Sequence, residues 1–134
     1  MDFETPKKPK RDWWKKGRAF DLWSIPHFLF GILMSFLPPL TGISIFTALA
    51  LTIIFAMLWE VYEKFVSIRE TVQNSLLDII LPIVAFTLTS YILLIHSFRR
   101  DELLVVASAV LILYLFTNIS GWLAYRRRNR DFTR

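Results

Sequence analysis

Residues 43–65 read ISIFTALALTIIFAMLWEVYEKF. No charged side chain occurs from Ile43 to Trp59, and then Glu60 and Glu63 enter beside Lys64. A bilayer core of about 30 Å calls for roughly 20 apolar residues in one helix, which this stretch supplies. Its small and polar residues are not scattered. Ala48, Thr52, Ala56, Glu60 and Glu63 follow one another at steps of three and four, which keeps them on a single face of a helix. Small residues let membrane helices approach closely, because packing rather than hydrophobicity drives their association in lipid. The stretch is therefore expected to be a membrane span with one face turned toward other helices.

Three more stretches have the same character, giving spans at about 20–40, 43–65, 75–97 and 102–125 and an all-α, integral membrane four-helix bundle. Apolar residues make up 54% of the 134-residue chain and mean hydropathy is +0.45, too greasy for a soluble domain of this size. Residues 20–125 form one domain between basic tails at 1–19 and 126–134. The first apolar run is too long for a cleaved signal peptide and no small-x-small site follows it, so it is expected to stay as a span. With no cysteine, disulfides and thiolate metal ligands are excluded.

A net charge of +5 raises the question of nucleic acid, and the placement of the charge answers it. Fourteen of the sixteen basic residues precede the first span, follow the last, or lie with Lys64 and Arg69 between the second and third. Only Arg99 and Arg100 occupy the other side, beside Asp101 and Glu102. The positive-inside rule then puts both the N and C termini in the cytoplasm, with the chain multi-pass in the cell membrane and no nucleic-acid partner. Lysines and arginines interleaved with Trp13 and Trp14 suit anionic lipid headgroups. Trp23, Trp59, Trp122 and Tyr125 are expected in an aromatic belt at the cytoplasmic helix ends.

Prolines set the remaining boundaries. The first helix either starts near Ser24, with Ser24 as cap, or starts near Phe20 and bends at Pro26. Pro38 and Pro39 are expected to end it, with Thr41-Gly42 completing a short turn. Asn74 or Ser75 is expected to cap the third span, and Pro82 to kink it. There is no internal repeat, phosphate loop or Ser-His-Asp arrangement.

Stripes recur on the other helices: Ser24, His27, Gly31 and Ser35 on the first, Asn74, Asp78, Ala85 and Thr89 on the third, Tyr114, Asn118, Gly121 and Tyr125 on the fourth. At a rise of 1.5 Å per residue, His27, Glu60, Asp78 and Asn118 all fall about 6–10 Å below the same interface, one from each helix. Asp21, Glu63 and Asn74 make a shallower layer, with Lys64 and Arg69 at its mouth. A charge at the centre of a span costs roughly 2.5–3.5 kcal/mol, and less near an interface. Such groups are tolerated when hydrated, protonated, paired or bound to metal. His27 balances only one carboxylate, so the layer favours a proton, a divalent cation or a cationic group. His27, Glu60, Glu63 and Asp78 are the candidate pocket residues and the candidate ligands of a divalent metal cation. The alternative is a hydrogen-bonded network that fixes helix register, with Glu63 and Asp21 reaching out to water. His96, at the opposite end beside Ser97, is expected at the interface.

These residues resemble the pattern of the VanZ-like family of small envelope membrane proteins: Asp21 and then His27-Phe28 opening the first span, the run Trp59-Glu60-Val61-Tyr62-Glu63 closing the second, Arg69 in a short loop, and Asp78 inside the third. The resemblance covers about residues 21–82. Five residues separate Asp21 from His27 where about three are usual, Glu63 stands where Gln is frequent, and Leu81-Pro82 replaces the usual Asn and Gly. The resemblance implies an envelope protein without defining its activity; the first function expected of these residues is a cytoplasmic-leaflet pocket that binds, or acts on, a lipid or lipid-linked headgroup, with Lys64 and Arg69 drawing in phosphate. A catalytic version is a metal-assisted hydrolase or transferase. Two other classes stay open: a non-enzymatic subunit or assembly factor, as a homo-oligomer or with a partner membrane protein, and a proton- or cation-coupled transporter.

Overall fold

The computed structural model describes residues 22–66 and 71–132, with side chains as far as 127. Among the described residues the chain forms five α-helices and no strand: α1 Ser24–Ser35, α2 Leu37–Thr41, α3 Ile45–Phe65, α4 Val72–Ile95 and α5 Arg100–Phe132. Four stretches are long and apolar enough to cross a membrane, with α1 and α2 together making the first, Ser24–Thr41.

Local chemistry sets the helix ends. α1 begins at Ser24 with Trp23 at the cap position, so Pro26 falls in the first turn, where a missing N–H costs nothing. Pro38 and Pro39 do not end the first span. They sit in the first turn of α2, for the same reason, after a break at Phe36. The stop is Gly42, whose left-handed φ of 80° lets its N–H reach the Pro38 carbonyl at 2.9 Å. α3 is capped by Ser44, whose Oγ accepts from Thr47 N at 3.1 Å. The cap of α4 is Thr71, which accepts from Asn74 N at 3.1 Å; Asn74 and Ser75 lie inside the helix instead and are turned into the protein. α4 runs unbroken through Pro82, which has no N–H to offer the Asp78 carbonyl one turn back. α5 does not stop at the arginine cluster but continues to Phe132, its basic residues lying toward the helix C-terminus, where the dipole favours them.

The helices pack around α1, which touches each of the other four. α1, α3 and α4 pack mutually, and the backbone of α5 comes close to those of α1 and α2 alone. No pair of Cα atoms from α5 comes within 8 Å of α3 or of α4, although only residues 96–99 separate α4 from α5. The stripes turn inward as expected. Ala48, Thr52, Ala56, Glu60 and Glu63 are the buried residues of α3. On α1, His27, Gly31 and Ser35 are buried, and on α4 so are Asn74, Asp78 and Ala85. α5 is the least covered, and its Leu111, Ile112, Phe116 and Leu123 are exposed, as side chains facing acyl chains would be.

α1 and α4 approach closely at Gly31. A Cβ there would lie 2.1 Å from the Pro82 carbonyl oxygen, so the backbones of α1 and α4 touch at a point where only glycine fits. Met34, Ala48 and Phe86 fill the core beyond it. At that end of the bundle Arg100 donates to the Leu40 carbonyl at 3.0 Å, joining the start of α5 to the end of α2.

Candidate functional site

At the opposite end, the start of α1, the end of α3, the start of α4 and the later turns of α5 come together. His27 is 8% exposed, Glu60 4%, Glu63 1% and Asp78 0%, so all four candidate residues are inside the protein rather than in lipid or water. His27 and Asp78 each lie four residues before the Gly31–Pro82 contact. That crossing brings the imidazole Nε2 to 3.4 Å from Asp78 Oδ2. Glu60 enters from α3, and one donor atom each from His27, Glu60 and Asp78 lies within 4.8 Å of the other two. Ser75, one turn before Asp78, donates a hydrogen bond from its hydroxyl to Glu60 Oε2.

The remaining expected residues have other surroundings. Glu63 does not reach out to water: its Oε1 accepts from the Trp59 indole N–H at 2.9 Å, one turn back on α3, and it stands outside the converging trio. Asn74 is fully buried at the start of α4. Asn118 does not join the trio either. Its amide donates to the Tyr114 carbonyl at 2.8 Å, and it meets His27 only across a cavity. Lys64 is exposed, as is His96, whose ring lies 5.8 Å from that of Phe98. Asp21, Arg69 and the basic tail before residue 22 lie outside the described residues, as do the side chains beyond 127.

The cavity occupies about 380 Å³ beside the trio, between α3 and α5 and floored by α1. Aromatic rings bound it in two tiers. Near the helix ends Trp23 meets Trp122 edge-on at 6.5 Å, and Tyr62 meets Trp122 at the same distance. Two turns deeper Phe30 stands between Phe55, at 6.4 Å, and Tyr114, at 6.2 Å. Where the backbones of α3 and α5 stand apart, these rings span the gap. His27 sits between the tiers on the floor, and with Asn118 it gives the cavity a polar wall.

The expected aromatic belt is thus gathered at one end of the molecule, but Trp23 is 5% exposed and faces inward. Sequence reasoning missed Ser75 and Trp59 as donors. Their spacing held the signal, since Ser75 shares a face with Asp78 and Trp59 lies one turn from Glu63. The ring-lined cavity left no such trace, because it depends on which helix pairs fail to touch. Compared with family models, with curated proteins and with solved structures, the chain matches none.

Proposed function

We propose that this chain is a VanZ-like envelope protein of the cytoplasmic membrane, with both termini in the cytoplasm, that binds a lipid or lipid-linked headgroup in the cleft between α3 and α5. The observation that carries this reading is the cavity of about 380 Å³, within the size range of ligand pockets, apolar around most of its wall and polar at His27 and Asn118. An acyl or prenyl chain suits the rings. The headgroup suits the end bearing His27, near the helix termini that the basic residues flank. A second reading, in which the polar groups only fix helix register, is favoured by the contacts they find within the chain, Ser75 to Glu60 and His27 to Asp78.

The test is the lipid retained by detergent-purified protein, read by native mass spectrometry. Ala56→Leu and Leu58→Trp narrow the cavity from α3, the first from a buried position and the second from an exposed one that tolerates bulk. Wild type is expected to hold a lipid through delipidation, and both variants to lose it while remaining folded. Equal retention in the two folded variants overturns the reading. For topology, a reporter active only in the cytoplasm is expected to work when fused after Arg134; an inactive fusion reverses the leaflet assignment.

A further inference from the structure

We infer that His27, Glu60 and Asp78 form a binding site for one divalent first-row metal ion, of the zinc or manganese type. The inference stands on the ligand set and holds whatever enters the cleft.

Three helices each deliver one donor: an imidazole nitrogen from α1 and a carboxylate oxygen from each of α3 and α4, all from buried residues. Ligands about 2.0–2.2 Å from a tetrahedral ion are separated from one another by about 3.3–3.6 Å. The 3.4 Å between His27 Nε2 and Asp78 Oδ2 already matches that edge. The third donor, from Glu60, lies within 4.8 Å of the other two, close enough for one ion to draw all three together. Mixed imidazole and carboxylate donors suit zinc and manganese, whereas calcium requires six to eight oxygens. Charge points the same way. Two carboxylates away from water are costly in a membrane, and a divalent ion neutralises both at once. Ser75 donates to one oxygen of the Glu60 carboxylate, the kind of supporting bond that strengthens metal ligands. Three protein ligands leave a coordination position unfilled, as in catalytic rather than structural zinc sites, and His27 lines the cavity from which a water or ligand oxygen would fill it.

The experiment is elemental analysis of the full chain, purified in detergent without a polyhistidine tag, beside melting curves during titration with zinc, manganese, magnesium and calcium chlorides. Wild type is expected to carry one zinc or manganese ion per chain. A chelator should lower its melting temperature and the matching chloride should restore it. Asp78→Asn and His27→Gln each remove a direct ligand, so they should lower affinity by more than the roughly 100-fold that losing a supporting partner costs and abolish the melting response. Glu63→Gln removes a buried carboxylate outside the trio and should keep the metal. Ala56→Leu should also keep it, so loss of lipid and loss of metal report on separate claims. The inference is overturned if wild type holds no metal and no chloride shifts its melting. It also fails if His27→Gln keeps as much metal as wild type, or if Glu63→Gln loses as much as Asp78→Asn.

Discussion

Replacing Gly31 with alanine adds one methyl group at the point where α1 and α4 touch. In a helix interior that change ordinarily stabilises by about 1 kcal/mol, so its expected sign here is the diagnostic. The new Cβ would lie 2.1 Å from the Pro82 oxygen and 2.7 Å from two further backbone atoms of the same residue. A carbon and a carbonyl oxygen do not approach closer than about 3.3 Å, so the helices must part by about 1.2 Å. Backbone cannot yield as a flexible side chain would, and overpacking of this kind costs about 1–3 kcal/mol. The displacement also reaches the site, because His27 lies one turn from Gly31 and Asp78 one turn from Pro82. A separation now 3.4 Å would open to about 4.6 Å if the whole movement fell on that pair, beyond any direct contact. Reversible unfolding in mixed micelles, run as a double-mutant cycle of Gly31→Ala with Asp78→Asn, measures both effects. The double variant is expected to lose less than the two single losses added, by at least about 0.5 kcal/mol. A Gly31→Ala protein as stable as wild type, or strictly additive losses, refutes the claim that this crossing positions the pair.

Two further variants probe the parts that hold the site. Trp59→Phe keeps a ring in the cavity wall but removes the N–H that donates to Glu63; the loss is expected at about 1–3 kcal/mol, and a change below about 0.5 kcal/mol shows that the bond contributes nothing. Thr71→Ala removes the α4 cap at a cost of about 1 kcal/mol, and hydrogen exchange should rise through Asn74 and Ser75 while the amides beyond Pro82 stay protected; uniform exchange along α4 contradicts a local role.

Why was so much of this arrangement readable from the residues alone? A bilayer leaves few choices of secondary structure, so apolar length gave the four spans. The polar and small residues on α3 fall at steps of three and four, and the structure buries all five of them. Depth counting placed His27, Glu60 and Asp78 on one level because helical rise is nearly constant. The same count could not tell Asn118 from them, since rotation about α5 depends on what α5 leans against. Prolines misled for a related reason. Pro38 and Pro39 stop a helix only from its interior, and a break at Phe36 placed them in a new first turn. Thr71 displaced Asn74 and Ser75 as the cap because α4 begins three residues earlier than the apolar count suggested. Glu63, a pocket ligand on one reading and turned to water on the other, is neither: it is buried outside the trio, where the Trp59 indole offers it a donor within the same helix.

One consequence follows from the isolation of α5 from α4. α5 packs on the first helix and not on its predecessor, so its place in the bundle is taken only once the last span has been synthesised. The imidazole and both acidic partners have by then already been made, since all three are encoded before residue 79. The buried trio is thus complete in the growing chain before α5, which walls one side of the neighbouring cavity, has been synthesised.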